Sequence, residues 1–282
     1  MMQKYHSTAP LPFVGQKRYF IKHFTKVLSQ IPADGKHWTI VDVFGGSGLL
    51  AHVAKRIKPQ ARVIYNDYDN YSDRLRHIPD YNRLREQIAQ IVGGIPKGSR
   101  LDPERTRSVQ QTITNFQGHI DVRVLSSWLL FSAKQANSLE QLLGFEFYNK
   151  VRQSPYSIAA DYLDGLEITR QDYNLLMAEH QHNPNTLLVL DPPYVSTAQG
   201  AYAADKYFNM VSFLRMIQYM RPPFILFSST RSEALDYFQF LQECEPDKYR
   251  RFSGYSIVSL DAKMGKGIEY QDNMIYKRDY PA

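Results

Sequence analysis

Across residues 17–31 the chain places apolar side chains at Phe20, Ile21, Phe24, Val27, Leu28 and Ile31, with Lys22, His23 and Lys26 between them. Spacings of three and four describe one face of an amphipathic helix. The pattern then changes. Residues 39–44 form a compact apolar run closed by Gly45-Gly46-Ser47-Gly48, and residues 49–57 return to helical spacing until Pro59. Residues 62–65 read as a second strand, ending at Asn66-Asp67. Strand, tight turn, helix and strand in this order predict an α/β sheet.

The section from 71 to 185 has a different character. It shows helical stretches at 80–92 and 126–143, a turn-rich link Gly93-Gly94-Ile95-Pro96-Lys97-Gly98, and no clear apolar strand. It is expected to be a largely helical insertion into a domain built from residues 1–70 and 186–282. The α/β alternation resumes with a strand at 187–190, a helix at about 205–220, a strand at 224–228 after Pro222-Pro223, and a helix at 233–242. Strand-like segments at 255–260 and 269–276 flank Lys263-Met264-Gly265-Lys266-Gly267, which suggests a hairpin loop.

With 282 residues, the chain is long enough for a core plus an insertion. The single cysteine, Cys244, excludes an internal disulfide and fits a reducing compartment. No apolar stretch approaches the roughly 20 residues needed to span a bilayer. The first ten residues lack the apolar core of a signal peptide, so a cytoplasmic location is expected. The net charge of +6 arises wholly in residues 1–70, which hold 10 Lys/Arg against 4 Asp/Glu. A polyanionic partner and a merely solvated surface both explain it.

Two motifs carry chemistry. Asp191-Pro192-Pro193-Tyr194 directly follows the apolar run Leu187-Leu188-Val189-Leu190. There a carboxylate and a backbone carbonyl can both accept hydrogen bonds from one amino group, two prolines stiffen the chain, and a tyrosine offers a flat stacking face. The second motif is Asp42-Val43-Phe44-Gly45-Gly46-Ser47-Gly48. Its glycines let backbone approach a ligand, and the following helix points amides at an anion such as a carboxylate. Asp67, ending the next strand, can accept both hydroxyls of a ribose. Gly46, Gly48 and Ala51 also satisfy the dinucleotide fingerprint of an NAD-dependent oxidoreductase, which therefore stays open. The eight histidines suggest no metal site, because the close pair His180 and His182 lacks a third ligand. Ser228 lacks a nucleophile elbow.

A third segment, Pro12-Phe13-Val14-Gly15-Gln16-Lys17, lies just before the first helix. With the two motifs and Asp67, in this order, it resembles the Dam-like (D12 class, alpha-group order) N6-adenine DNA methyltransferases. The resemblance covers residues 12–70 and 186–280. It implies a Rossmann-like, mostly parallel sheet that binds S-adenosylmethionine and releases S-adenosylhomocysteine, with no metal. It assigns the methyl donor to Phe13, Lys17, Asp42, Phe44, Gly45, Gly46, Ser47, Gly48 and Asp67, with Asp191 adjoining. Methyl transfer to the exocyclic amine of a flipped adenine falls to Asp191, Pro192, Pro193 and Tyr194. The insertion 71–185 would be the target-recognition part. It matches poorly, and residues 145–156 are the nearest counterpart of the family's sequence-reading segment. Expected DNA contacts are Asn149, Lys150, Arg152 and Gln153, with Lys263 and Lys266 on phosphates. The expected partner is double-stranded DNA, with no membrane. A monomer is expected, with two copies on one DNA site as the alternative. The recognition sequence is not legible, and a restriction partner, a phage-borne modifier and a stand-alone regulator look alike. Rival readings are methylation of an RNA base or a protein glutamine amine, the oxidoreductase, and a DNA-binding protein that has lost catalysis.

Overall fold

Apolar runs from both ends of the chain meet in one seven-stranded sheet. The computed structural model describes residues 5–32, 34–131, 134–195, 208–230, 232–264 and 268–278. The principal elements are α1 (Ile21–Leu28), β1 (Thr39–Asp42), α2 (Leu49–Ile57), β2 (Arg62–Asn66), α3 (Tyr71–Arg76), α4 (Ile78–Ile91), α5 (Pro103–Asn115), α6 (Val122–Leu129), α7 (Leu139–Leu143), β3 (Glu167–Thr169), α8 (Tyr173–His180), β4 (Thr186–Leu190), α9 (Met210–Tyr219), β5 (Phe224–Ser229), α10 (Ala234–Cys244), β6 (Ser256–Met264) and β7 (Ile268–Lys277).

The strand order is β3-β2-β1-β4-β5-β7-β6. The first five strands are parallel, while β7 runs antiparallel to β5 and pairs with β6. This is the α/β, Rossmann-like sheet expected. The winding reverses between β1 and β4, which opens a crevice at their carboxyl ends. A dinucleotide-binding sheet would continue with β6 beside β5; here the antiparallel β7 takes that place.

Every residue of β1 and β4 is buried, so these strands read as apolar runs without alternation. One face of the sheet packs α1 and α2 through Phe24, Leu28, Leu50 and Val53. The other packs α8, α9 and α10 through Met177, Phe213, Met216 and Phe238. Side chains alternate along a strand. Ile40, Tyr65, Val189 and Met274 face α1 and α2. Two positions along from each, Asp42, Asp67, Asp191 and Asp272 therefore fall at the same edge on the same face.

The chain divides into two compact units. One comprises Met1–Thr8, Gln16–Asp69 and Tyr162–Ala282; the other comprises Ala9–Gly15 and Asn70–Asp161. The second unit holds α3 to α7 around buried Tyr81, Leu84, Ile88, Ile113 and Trp128. Inside it Arg74 forms a buried ion pair with Asp121, whose carboxylate also accepts the N–H groups of Arg123 and Val124 and so caps α6. The segment Ala9–Gly15 joins this unit because the Tyr71 hydroxyl meets both backbone groups of Leu11, at 2.9 and 3.1 Å.

Several elements differ from the sequence reading. The return to the sheet falls at residue 162, not 186, because β3 and α8 belong to the first unit. β3 is a three-residue, partly exposed edge strand, too short to leave an apolar run. It is held by parallel pairing to β2 and by the bidentate Arg62–Glu167 pair, at 2.7 and 2.6 Å. α5 buries only Val109 and Ile113, yet it is clearly started: Asp102 accepts the N–H of Arg105 at 2.8 Å and Pro103 opens the helix. The helix expected over 126–143 is two, α6 and α7, the latter capped by Ser138. The first helix is shorter than 17–31. Among the described residues no helix is long and apolar enough to cross a membrane.

Candidate active site

The turn after β1 is shaped by glycine. Gly46 and Gly48 have φ of +49° and +69°, left-handed conformations that favour glycine. Gly45 is required for space: a Cβ there would lie 2.4 and 2.5 Å from ring carbons of Tyr65 and 2.9 Å from the Asn66 carbonyl oxygen. Two tyrosines hold the turn. The Tyr65 hydroxyl sits 2.8 Å from the Gly46 carbonyl and 3.0 Å from Asp67 Oδ1. The Tyr162 hydroxyl donates to the Ser47 carbonyl at 3.0 Å. Tyr162 is itself stacked on buried His52, whose Nδ1 lies 2.7 Å from the Tyr162 carbonyl. The turn delivers α2 with no side-chain cap of its own. Its N-terminus is suited to an anion.

Acids ring the carboxyl edge. Asp42 is buried; its Oδ2 accepts the Ala51 N–H at 3.2 Å, and its Oδ1 has no hydrogen-bond partner among the described residues. Burial, then the nearby Asp191 charge, push its carboxyl up to about 7 against the pull of the Ala51 N–H. Asp67 is fully buried, with Arg170 Nε donating to its carbonyl at 3.1 Å. Asp191, its side chain 20% exposed, pairs through Oδ1 with Lys17 Nζ at 2.7 Å. Burial raises its pKa, Lys17 opposes that rise, and Asp272 adds to it. Burial likewise raises Asp272, again against Lys17. Lys17 also lies 5.7 Å from the ring centres of Tyr194 and Phe227.

The protonated form of Asp42 is favoured by folding, so its contribution to stability is full below about pH 4 and lost as pH rises through about 7. Asp42→Asn, which cannot ionise, is expected to melt with a shallower decline than the wild type between about pH 4 and pH 7. Parallel declines in a pH series of thermal melts would contradict the burial of this acid.

Phe44 forms an aromatic wall with Tyr173 and Phe208, at ring distances of 5.3 and 5.7 Å. Pro192 is buried, while Pro193 and Tyr194 are half-buried. Thus Lys17, Asp42, Phe44, Gly45–Gly48, Asp67 and Asp191–Tyr194 all belong to the first unit. Phe13 belongs to the second, edge-on to Tyr71 at 5.8 Å. Tyr65, Tyr162, Asp272 and Arg170 did not emerge from sequence. Each acts through a partner that only the sheet brings close.

In the second unit, Lys97, Lys150, Arg152 and Gln153 line an open concavity of about 530 Å³ over Trp128 and Tyr156. Arg152 covers the Tyr156 ring at 4.0 Å, and Arg85 pins the loop through the carbonyls of Arg152 and Gln153. Asn149 is engaged structurally, its amide donating to the Ile95 carbonyl at 2.7 Å. Lys263 lies in β6, and Lys266 falls outside the described residues.

A switch-point crevice with a glycine turn, an acid after β2 and an Asp-Pro-Pro-Tyr segment after β4 is an arrangement that suits an α/β enzyme with a nucleoside-bearing ligand. A protein of Haemophilus influenzae (strain ATCC 51907 / DSM 11121 / KW20 / Rd) named "Putative methyltransferase" is 47% identical over 277 residues, covering 98% of this chain and 94% of its own length. The chain belongs to this methyltransferase family. No protein-family model matches it. A precorrin-6y C5,15-methyltransferase from Geobacter metallireducens GS-15 superposes with a TM-score of 0.38 at 7% identity, covering 98% of this chain and 100% of that one. That likeness is too slight to bear on fold or substrate.

Proposed function

We propose that this methyltransferase transfers the methyl group of S-adenosylmethionine to the N6 amine of adenine in double-stranded DNA. The observation that carries the reading is the placement of Asp191-Pro192-Pro193-Tyr194 directly after β4, beside the acid-lined glycine turn. The residues present fit the donor. The uncapped start of α2 suits its carboxylate, Asp42 Oδ1 is a buried acceptor suited to its ammonium, and Asp67 suits its ribose. When bound, S-adenosylmethionine supplies a methyl group on a sulfonium.

The chain's own residues do the rest. The Asp191 carboxylate and the Pro192 carbonyl accept the two N–H bonds of the target amine, which localises the nitrogen lone pair and stabilises the charge that develops on it. Lys17 engages Asp191 Oδ1, and the carboxylate has Oδ2 for the amine. The raised pKa of Asp191 suits it to take the proton the methylated amine releases. An adenine amine inside a duplex is reached by flipping the base, and Tyr194 offers it a stacking face. Lys97, Lys150 and Arg152 are cations suited to phosphates.

Stacking of this kind contributes about 1–3 kcal/mol. Tyr194→Ala is therefore expected to lower kcat/KM on duplex DNA by roughly 10–100-fold, and Tyr194→Phe by no more than about 3-fold. Equal losses would remove the stacking role. The reading itself is tested by mapping modified bases in unmethylated genomic DNA after reaction. N6-methyladenine at a recurring short sequence is expected. Methyl at nearly every adenine would mean DNA is held but not read, and none would overturn the substrate.

A further inference from the structure

A second cluster of chemistry-bearing side chains lies wholly within the second unit. Asp73 on α3, His77 between α3 and α4, and His119 after α5 each bring one ligand atom within 4.8 Å of the others, and all three are half-buried. The backbone builds this convergence. Asp73 and His77 stand four residues apart, the spacing that puts two side chains on one helical face. His119 is fixed to α4 by its N–H, which donates to Asp80 Oδ2 at 2.9 Å. Arg83 secures the same loop by donating to Asp80 Oδ1 at 2.6 Å and to the Gln117 carbonyl at 3.1 Å. Gly118 allows the close approach, since a Cβ there would lie 2.6 Å from the Phe116 ring and 3.0 Å from Asp80 Cγ.

Each imidazole has its Nδ1 on the side of an oxygen atom. His77 turns Nε2 toward Asp73 Oδ2 and Nδ1 toward Asp80 Oδ2, each at 3.9 Å. His119 Nδ1 is 3.1 Å from the Tyr81 hydroxyl, leaving Nε2 as its donor atom. The Tyr81 hydroxyl can hold His119 in the tautomer whose Nε2 binds metal, the outer arrangement that orients metal-bound histidine, and Asp80, 3.9 Å from His77 Nδ1, comes within reach of the same role with a small shift of that ring. Asp80 is already engaged by Arg83 and the His119 N–H, so it serves this outer role and not as a ligand.

We infer that Asp73, His77 and His119 form a binding site for a divalent transition metal of the zinc type, with His77 and His119 binding through Nε2 and a fourth position left to water. Two imidazoles and one carboxylate suit zinc and its neighbours and not magnesium or calcium, which prefer oxygen sets. The rings are stacked at 3.9 Å with an 11° tilt. One of them turns on binding so that the metal lies in both ring planes. The bound ion would tie α3 to the loop before α6. Sequence spacing concealed the site because His119 reaches it from the far end of α5.

The test is isothermal titration of the metal-free full chain with zinc chloride, with thermal melts in parallel. Binding near one equivalent is expected, with melting raised by roughly 5 °C at zinc about 100-fold above the dissociation constant. Both effects are lost in His77→Ala and His119→Ala and weakened at least about tenfold in Asp73→Asn. His77→Gln and His119→Asn serve if an alanine variant melts below the wild type without metal. Magnesium chloride is expected to give neither effect. Absence of zinc binding to the wild type overturns the site. Undiminished binding by a folded double variant overturns it equally, placing the ion at Cys244 or at His180 and His182.

Discussion

Asp191→Ala is expected to lower kcat for methyl transfer by about 1,000-fold or more while S-adenosylmethionine binds within about 3-fold of the wild type. The magnitude follows from the role. An acceptor aimed at charge that develops only during reaction is worth about 100–1,000-fold when removed, and in the proposed mechanism the same carboxylate also takes the proton. The geometry sharpens the expectation. Asp191 holds Lys17 at 2.7 Å in a largely buried setting, so the alanine variant leaves that ammonium without this counter-ion. Asp191→Asn keeps the shape and an acceptor oxygen but loses the charge, and it is expected to retain donor binding with nearly as large a loss of kcat. Calorimetry for the donor and single-turnover transfer for the chemistry separate the two. Equal loss of binding and transfer in the asparagine variant would show that Asp191 belongs to the donor site instead.

Gly45→Ala is expected to be the most damaging single methyl group added to the site. It would stand 2.4 Å from the Tyr65 ring and 2.9 Å from the Asn66 carbonyl, both fixed parts of β2. Overpacking of this kind costs about 1–3 kcal/mol, and here relief requires moving the tyrosine that also holds Gly46 and Asp67. Melting is expected to fall by roughly 3–10 °C, with donor affinity reduced at least about tenfold as the turn and Asp67 shift together. Gly48→Ala makes a useful comparison. Its Cβ would approach Tyr65 only to 3.1 Å, and its main cost is the left-handed backbone, about 1–2 kcal/mol. A greater loss for Gly48→Ala than for Gly45→Ala would mean that backbone conformation, not the space beside Tyr65, shapes the turn.

These contrasts show what sequence makes legible. The glycine turn, Asp67 and Asp191-Pro192-Pro193-Tyr194 could be placed because each follows a buried parallel strand, whose apolar run marks where the carboxyl edge must lie. β3 was hidden because an edge strand of three residues, half in water, leaves no apolar trace. α5 and α8 were hidden because each buries only two side chains, although Asp102-Pro103 and Asp172 mark their starts. The support of the turn by Tyr65 and Tyr162, and the meeting of Lys17 with Asp191, depend on strand neighbours far apart in the chain. The N-terminal segment shows the limit most plainly: Phe13 and Lys17, one short motif in the sequence, belong to different units of the fold. The candidate DNA contacts at 149–153 rest on the likeness of residues 145–156 to the family's sequence-reading segment, and that signal does not distinguish Asn149, tied to Ile95, from Arg152 and Gln153 lining a concavity.

The substrate is the central claim, and one reaction addresses it most directly. The purified chain is incubated with S-adenosylmethionine carrying a labelled methyl group and with unmethylated duplex DNA, total RNA and total protein together. The three pools are then separated and the modified nucleosides or residues identified. Label in DNA, recovered as N6-methyldeoxyadenosine and abolished by Asp191→Ala, is the predicted result. Label confined to RNA or to protein glutamine would contradict the account, leaving the methyltransferase family and the acid-lined crevice in place and assigning the Asp191 site to a different amine.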